Sequence, residues 1–223
     1  MTADAPAAAK PSREKQWWLR TLAVFQSPRS VFAALRDDSE DDVSARQEPI
    51  LALVLLAGVA AILAWSPTTG RLLDDPRVDG VLVAVLTFLG GGLYGVATYW
   101  IGGAALYLGA RGAGSKGTYR RARHVLGFAA APLVLSLLVV WPLRLAVYGD
   151  DVFRTGGADA TGAGRWVFKG LELGFLAWAV ALLVVGVRSV ERWTPLRALG
   201  AVMLAALAIL AFTVPFVIPL SAR

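Results

Sequence analysis

Five long apolar runs constrain this chain more than any other feature of its sequence. An α-helix needs about 20 mostly apolar residues to cross the hydrocarbon core of a membrane. Runs of about that length, with few charged residues, cover residues 49–65, 81–110, 125–147, 167–187 and 196–220. They are continuous, whereas the strands of a membrane β-barrel alternate between apolar and polar residues. The sequence therefore predicts an all-α polytopic membrane protein with five transmembrane helices.

The composition points to the same class of protein. Hydrophobic residues make up 57% of the chain and the mean hydropathy is +0.59, well above the values of ordinary soluble domains. The sequence contains no cysteine, which excludes disulfides and thiolate chemistry. Besides the five-helix bundle at residues 49–220, we expect a disordered tail at residues 1–14 and a cytoplasmic amphipathic arm at residues 15–48.

The charges of the connecting loops predict the orientation of the helices. The loop after the second run holds five basic residues and no acid, namely Arg111, Lys116, Arg120, Arg121 and Arg123. The loop after the fourth run is also mostly basic, whereas the loops at residues 66–80 and 148–166 carry four arginines against six aspartates. Because Lys and Arg are enriched in cytoplasmic loops, we expect a cytoplasmic amino terminus and a carboxy terminus outside.

The formal net charge of +6 raises the question of what the basic residues bind. Nucleic-acid binding needs a basic surface with a recognisable reading element, and the sequence shows none. Attraction to anionic lipid headgroups explains the same residues. We therefore expect the arm to insert shallowly into the membrane through Trp17, Trp18, Phe25 and Phe32. Headgroups, or a partner protein, are expected to bind Lys116, Arg120, Arg121 and Arg123.

Small residues recur at steps of three or four along the second run and form a stripe, whose glycines are Gly91, Gly95, Gly102 and Gly109. Such a stripe lets helix backbones approach closely inside a membrane. A shorter stripe with Gly170 and Gly174 in the fourth run is its expected mate, and a homodimer seam is the alternative. The glycines near position 91 also allow a bend that would open a groove.

Charged residues inside or beside the runs supply the remaining candidates. Glu172 is the one carboxylate within a predicted span, and ionisable groups in spans are often functional. We expect Arg144 to be its partner, and the pair is a candidate for transport. The acidic segment at residues 37–42 is predicted to be either a solvated hinge or a segment that docks on the basic loop. His124 is interpreted as an interfacial residue.

Two short elements carry a resemblance to a known family. They are the Pro-x-x-Val-Phe element at residues 28–32, and the stretch at 114–132 where a Gly/Lys/Gly loop precedes a basic helix start and an Ala-Pro pair. With the order of the segments, they make the chain resemble the Yip1 domain family as it occurs in bacteria, over about residues 20–220. The resemblance implies a multi-pass protein of the cell inner membrane with a cytoplasmic amino terminus.

The same resemblance implies no catalytic signature and has a limit. Eukaryotic members are linked to Rab GTPases and vesicle traffic, but their Asp-Leu-Tyr-Gly-Pro element is absent from this sequence. That link is therefore not carried over to this chain.

The sequence shows no Ser/His/Asp set, metal-ligand cluster or pair of intramembrane carboxylates, so we expect neither an enzyme nor a bound cofactor or metal. We predict a non-catalytic membrane protein that organises membrane lipid or partner proteins, with anionic lipids, a membrane protein or a second copy of the chain as partners. The alternative is a small-molecule or lipid transporter or permease subunit. A cavity lined by Gly91, Gly95 and Glu172 would favour transport, and a tightly packed interior would favour the scaffold.

Overall fold

The computed structural model describes the backbone of residues 13–65 and 69–221. It describes the side chains up to residue 211, except for those of residues 13 and 70 and of the gap. The described part is helical, with no strand. The tail predicted for residues 1–14 lies almost wholly outside the described residues.

The described residues form eight α-helices in chain order. Two short helices form the amino-terminal arm, α1 (Arg13–Ala23) and α2 (Pro28–Ala34). The bundle consists of α3 (Glu40–Trp65), α4 (Gly80–Gly112), α5 (Tyr119–Ala129), α6 (Ala131–Tyr148), α7 (Gly162–Glu191) and α8 (Pro195–Ser221). Short 3-10 turns at Thr69–Asp74, Gly149–Phe153 and Ala158–Ala160 lie in the loops at the opposite end of the bundle from the arm. We call these two ends the arm end and the far end.

Four helical stretches are long and apolar enough to cross a membrane: Glu40–Trp65, Gly80–Gly112, Tyr119–Phe153 and Gly162–Glu191. A shorter apolar helix is described over Pro195–Ala211. The predicted all-α polytopic fold is therefore confirmed. The third apolar run is not one helix, however, because α5 ends at Ala129 and α6 begins at Ala131. Pro132 in the first turn of α6 lacks an N–H, which is tolerated at a helix start but not in a helix interior.

Side-chain caps fix the starts of two helices. The Asp79 carboxylate accepts a hydrogen bond from the Leu82 N–H at 2.8 Å at the start of α4. The Thr118 hydroxyl accepts one from the Arg121 N–H at 3.2 Å at the start of α5. Each cap satisfies an N–H that has no partner within the helix. The loop between α4 and α5 thus ends at a defined residue.

The glycines of α4 pack against two neighbouring helices. A Cβ on Gly58 of α3 would lie 2.1 Å from the Gly91 carbonyl oxygen and 2.5 Å from the Gly95 Cα, so α3 and α4 touch backbone to backbone. At the other end of α4, a Cβ on Gly109 would lie 2.3 Å from the Ala201 carbonyl oxygen of α8. Gly102 faces Leu126 of α5. The stripe therefore lets α4 lie close to α3 and α8.

The predicted mate of this stripe is wrong. A Cβ added to Gly170 or Gly174 would meet nothing within 4 Å, and both glycines are exposed on α7. The mates are instead Gly58 of α3 and the alanines of α8. The prediction failed because small residues at helical spacing show that a helix face is smooth but do not show which helix packs on it.

The arm packs on the bundle and buries two of its predicted insertion residues. Trp17 is 1% exposed, and its ring centroid lies 5.6 Å from that of Phe128. Phe32 is fully buried where α2 crosses α7, and a Cβ on Gly186 would lie 3.0 Å from its ring. Membrane insertion of Trp17 and Phe32 is therefore contradicted, because the bundle already supplies their apolar surroundings. Phe25 is half-buried against Trp178.

Candidate functional site

A cavity of about 420 Å³ lies within the bundle, between α3, α4, the α5–α6 break and α7. We call it the inner cavity. Its wall is mostly apolar, and many of its side chains are short, including Ala57, Ala61 and Ala64 of α3 and Ala129 and Ala130 at the break. Because these side chains are short, the helices enclose a space that they do not fill.

The inner cavity is only partly enclosed. Tyr94 of α4 and Val180 of α7 line it, and both are about half exposed, at 50% and 45%. We infer that its open side lies between these two helices. Gly95 also lines the inner cavity, whereas Gly91 does not, because it packs against Val59. Of the three residues predicted to line a groove, Gly95 and Glu172 therefore line the inner cavity and Gly91 does not.

Glu172 lies at the far-end side of the inner cavity and is 5% exposed. One of its oxygens accepts a hydrogen bond from Arg144 Nη1 at 2.9 Å, and the other accepts one from Lys169 Nζ at 3.3 Å. Arg144 also forms an ion pair with Asp159. We call these four residues the Glu172 cluster. With two acids and two bases it is formally neutral, which is the arrangement that makes burial of charges tolerable.

Two aromatic rings and a backbone carbonyl hold the basic members of this cluster. Lys169 Nζ lies 3.5 Å from the centroid of the Trp65 ring and donates a hydrogen bond to the Ala64 carbonyl at 3.2 Å. The Arg144 guanidinium lies 4.9 Å from the Trp141 ring centroid. These cation–π contacts fix both cations beside Glu172. Sequence reasoning named Glu172 and Arg144 but missed Lys169, although its spacing of three residues from Glu172 was a usable signal.

A second cavity, of about 580 Å³, adjoins the cluster at the far end. We call it the far-end vestibule. Ala64 and Glu172 line both cavities, so Glu172 stands between them. The vestibule wall is more polar, with basic side chains Arg71, Arg144, Arg154, Arg165 and Lys169.

The loops around the vestibule are tied together by one carboxylate. Asp74 accepts hydrogen bonds from the Thr155 N–H at 2.9 Å and from the Thr155 hydroxyl. These bonds, with the nearby Arg154 and Arg71, hold the pKa of Asp74 below its usual value. The two far-end loops are thereby joined at the mouth of the vestibule.

The basic loop at the arm end is largely used within the protein. Arg121 forms an ion pair with Asp38 and donates to the Arg36 carbonyl at 3.3 Å. The Arg123 guanidinium lies 3.8 Å from the centroid of the Trp100 ring and close to two tyrosine rings. Lys116 and Arg120 are exposed. Of the four predicted headgroup-binding residues, Arg121 and Arg123 therefore already have partners in the protein.

A buried arginine missed by sequence reasoning organises this end. Arg46 of α3 is fully buried, and its Nε donates to His124 Nδ1 at 2.9 Å. It also pairs with Asp42 at 3.3 Å and with Asp38 at 3.4 Å. We call these four residues the Arg46 cluster. The alternative that the acidic segment docks on the basic loop is confirmed by the contact of Asp38 with Arg121, and His124 is buried rather than interfacial.

The Arg46 cluster also anchors the arm. The Trp17 indole N–H donates to the Asp42 carboxylate at 3.0 Å, while the Arg46 guanidinium lies 5.7 Å from the Trp17 ring centroid. One side chain of α1 is thus bound to the first turn of α3. The sequence signal was weak, since Arg46 lies just outside the apolar run and is one of seven basic residues in the first 48 positions.

Helices able to span a membrane, an inner cavity and two buried ionic clusters define a multi-pass α-helical membrane protein. The family model of the Yip1 domain matches residues 22–217, so the chain belongs to the Yip1 domain family. Comparison with curated proteins and with solved structures gives no match.

Proposed function

We propose that this Yip1 domain protein is a non-catalytic membrane protein that binds and organises membrane lipid by holding an acyl chain in the inner cavity. The observation that carries the proposal is the apolar cavity itself, which is partly open beside Tyr94 and Val180. Its volume of about 420 Å³ falls in the range of about 300–1,000 Å³ that is usual for ligand sites.

The position of the cavity favours an acyl chain as its occupant. The lining residues belong to helices that are able to span a membrane, where acyl chains are the surrounding solvent. An empty apolar space forfeits dispersion contacts with its wall, and a chain entering from the side restores them. The Glu172 cluster at the far-end side then supplies a polar boundary for the occupant.

The proposed orientation has a cytoplasmic amino terminus, with the arm end facing the cytoplasm of a bacterium. It is supported by the basic arm-end loops and by the aspartates of the far-end loops. The arm contributes to membrane contact through Trp18, one of the four residues first expected to insert, and through Leu22. Trp18 and Leu22 of α1 are 42% and 68% exposed, and side chains of this kind favour the membrane interface.

A transporter or permease subunit is the second candidate. It is favoured by the inner cavity, because Gly95 and Glu172 line it as the transport alternative requires. It is also favoured by the shared wall between the inner cavity and the far-end vestibule, where Glu172 and Ala64 line both. A solute or lipid that crosses this wall has to pass the Glu172 cluster. Proteoliposomes separate the two candidates, because a transporter moves lipid or solute across the bilayer and loses that flux in Glu172→Gln, whereas a lipid-organising protein shows no flux above that of protein-free liposomes.

The lipid-binding proposal is tested by filling the inner cavity. Ala61 lines it and is half-buried, so Ala61→Leu places three more carbon atoms in the space. Ala177→Leu is the matched control, because Ala177 is exposed on α7 and does not line the cavity. We expect native mass spectrometry of detergent-extracted protein to show less retained lipid for Ala61→Leu than for Ala177→Leu. Equal retention in the two variants, or no retained lipid in the natural protein, would contradict the proposal.

A further inference from the structure

We propose that four arginines at the arm end form a binding site for a phosphate group, carried either by an anionic lipid headgroup or by a soluble phosphate compound. They surround a recess of about 410 Å³ between α2 and the end of α7, lined by Arg29, Ala33, Arg36, Arg188, Ser189, Arg192 and Trp193. We call it the arginine recess. None of the described side chains that line it is acidic.

The helix packing holds the recess in shape. Phe32 of α2 is buried against Gly186 of α7, which brings Arg29 of α2 and Arg188 of α7 to the same recess. Arg36 is fixed by hydrogen bonds from its Nε to the Val190 carbonyl at 3.3 Å and from its Nη2 to the Ser189 carbonyl. The site is therefore built on packed helices.

The carbonyl groups at the end of α7 explain the position of Arg36 but not the positions of the other three arginines. The last carbonyls of a helix attract cations, and Arg36 satisfies two of them. Among the described residues, Arg29, Arg188 and Arg192 form no ion pair with a carboxylate. Three guanidinium groups thus remain around one opening with their charges uncompensated.

The nearest acids along the chain point elsewhere. The Glu191 carboxylate faces Gly117, where an added Cβ would lie 2.7 Å from its Oε1, and it lines a separate small pocket. Asp37, next to Arg36, accepts a hydrogen bond from the Ser39 N–H at 3.0 Å. Asp38 is bound to Arg46 and Arg121. The recess therefore keeps its positive charge after the protein has made its internal ion pairs.

Phosphate is the ligand that this chemistry selects. The planar guanidinium donates paired hydrogen bonds that match phosphate oxygens. A spherical cation is excluded by charge, and an apolar ligand gains little from a polar wall. Trp193 beside the recess, with Arg197 at 4.3 Å from its ring centroid, is typical of the membrane interface where headgroups lie. The inference concerns residues distinct from those of the inner cavity.

The test uses the full chain in nanodiscs and compares two charge-matched double variants. Arg29→Gln with Arg192→Gln removes two charges from the recess. Arg20→Gln with Arg111→Gln removes two charges at the same end that neither line the recess nor belong to the residues first expected to bind headgroups. The probes are phosphatidylcholine nanodiscs with and without phosphatidylglycerol, read by native mass spectrometry, and inorganic pyrophosphate, read by calorimetry. Matching melting temperatures establish that both variants fold.

We expect the recess variant to bind the preferred probe about tenfold more weakly, because charge-assisted hydrogen bonds are lost, and the control to change less than about twofold. Enrichment of phosphatidylglycerol identifies the lipid headgroup, and binding of pyrophosphate identifies the soluble compound. Equal losses in the two variants, or no binding of either probe by the natural protein, would overturn the inference. Ala61→Leu should leave phosphate binding intact, so failure of the cavity proposal is distinguishable from failure of this one.

Discussion

The two ends of the bundle bury similar ionic clusters in different surroundings. At the arm end, the Arg46 cluster lies under Trp17 and Phe128, and the neighbouring core is filled. At the far end, the Glu172 cluster lies between an inner cavity and a vestibule. A cluster of ion-paired arginine and carboxylate side chains is therefore enclosed by core residues at the arm end, while a similar cluster borders a cavity at the far end.

The difference comes from the side chains that surround each cluster. The Trp17 ring of the arm lies over Arg46, whereas alanines of α3 and of the α5–α6 break line the cavity that Glu172 borders. The arginine at the centre of the first cluster is fully buried, whereas Lys169 of the second cluster is 37% exposed and two cavities adjoin it. We infer that the cluster at the arm end mainly stabilises the fold, while the cluster at the far end borders the space in which a ligand binds.

Removing the arginine at the arm end should have the largest effect on stability. Arg46→Ala leaves Asp42 without its ion-pair partner and removes a fully buried side chain that contacts His124, whereas Asp38 keeps its ion pair with Arg121. Breaking a buried pair costs about 3–5 kcal/mol, and we expect a loss at the lower end of that range. The measurement is the free energy of unfolding in detergent micelles. Arg77→Ala is the control, because Arg77 is 88% exposed in its pair with Asp75 and such pairs contribute about 0–1 kcal/mol.

Arg144→Ala at the far end tests whether the two clusters contribute differently to stability. Lys169 still pairs with Glu172 in that variant, and the vestibule gives the remaining carboxylates access to water. We expect a smaller loss of stability than for Arg46→Ala. An equal or larger loss would show that the far end supports the fold as strongly as the arm end.

The contact between α3 and α4, which forms one wall of the inner cavity, should show the next largest effect. In Gly58→Ala the new methyl group would lie 2.1 Å from the Gly91 carbonyl oxygen, so the helices must separate. Overpacking of this kind costs about 1–3 kcal/mol. Gly174→Ala on α7 meets nothing within 4 Å and should leave the free energy of unfolding nearly unchanged. A similar result for both variants would mean that close backbone contact is not what holds α3 to α4.

The fold class could be predicted from the sequence because long apolar runs leave the backbone one way to satisfy its hydrogen bonds in a membrane. The break between α5 and α6 was within reach, since Pro132 lies inside the third run. The packing partners of each helix could not be predicted, because Gly58, Gly170 and Gly174 all occur among small apolar residues and look alike in sequence. A stripe of small residues shows that another helix can pack closely on that face. It does not identify which helix does so, because that depends on the tertiary arrangement.

The candidate site was predicted in part for a related reason. Glu172 stood out as the one carboxylate in an apolar run, and its contact with Arg144 at 2.9 Å joins residues 28 positions apart. The inner cavity could not be predicted, because its volume depends on how completely the side chains of five helices fill the space between them. Arg46 and the arginine recess were hidden among basic residues whose exposure no local pattern reveals.

The smallest predicted effect concerns pH and the far-end loops. Hydrogen bonds from Thr155 lower the pKa of Asp74 below the ordinary value of 3.8. Since the folded pKa lies below the unfolded one, the stabilisation is fully present above the ordinary value and is lost as the pH falls through the lowered pKa. We expect hydrogen exchange at residues 69–74 and 149–157 to rise in that acidic window relative to Thr155→Val, in which the hydroxyl bond is missing and exchange is already faster at neutral pH. Because Asp74 is exposed, the change should stay within these loops. The same pH profile in Thr155→Val as in the natural protein would show that another acid controls the mouth of the vestibule.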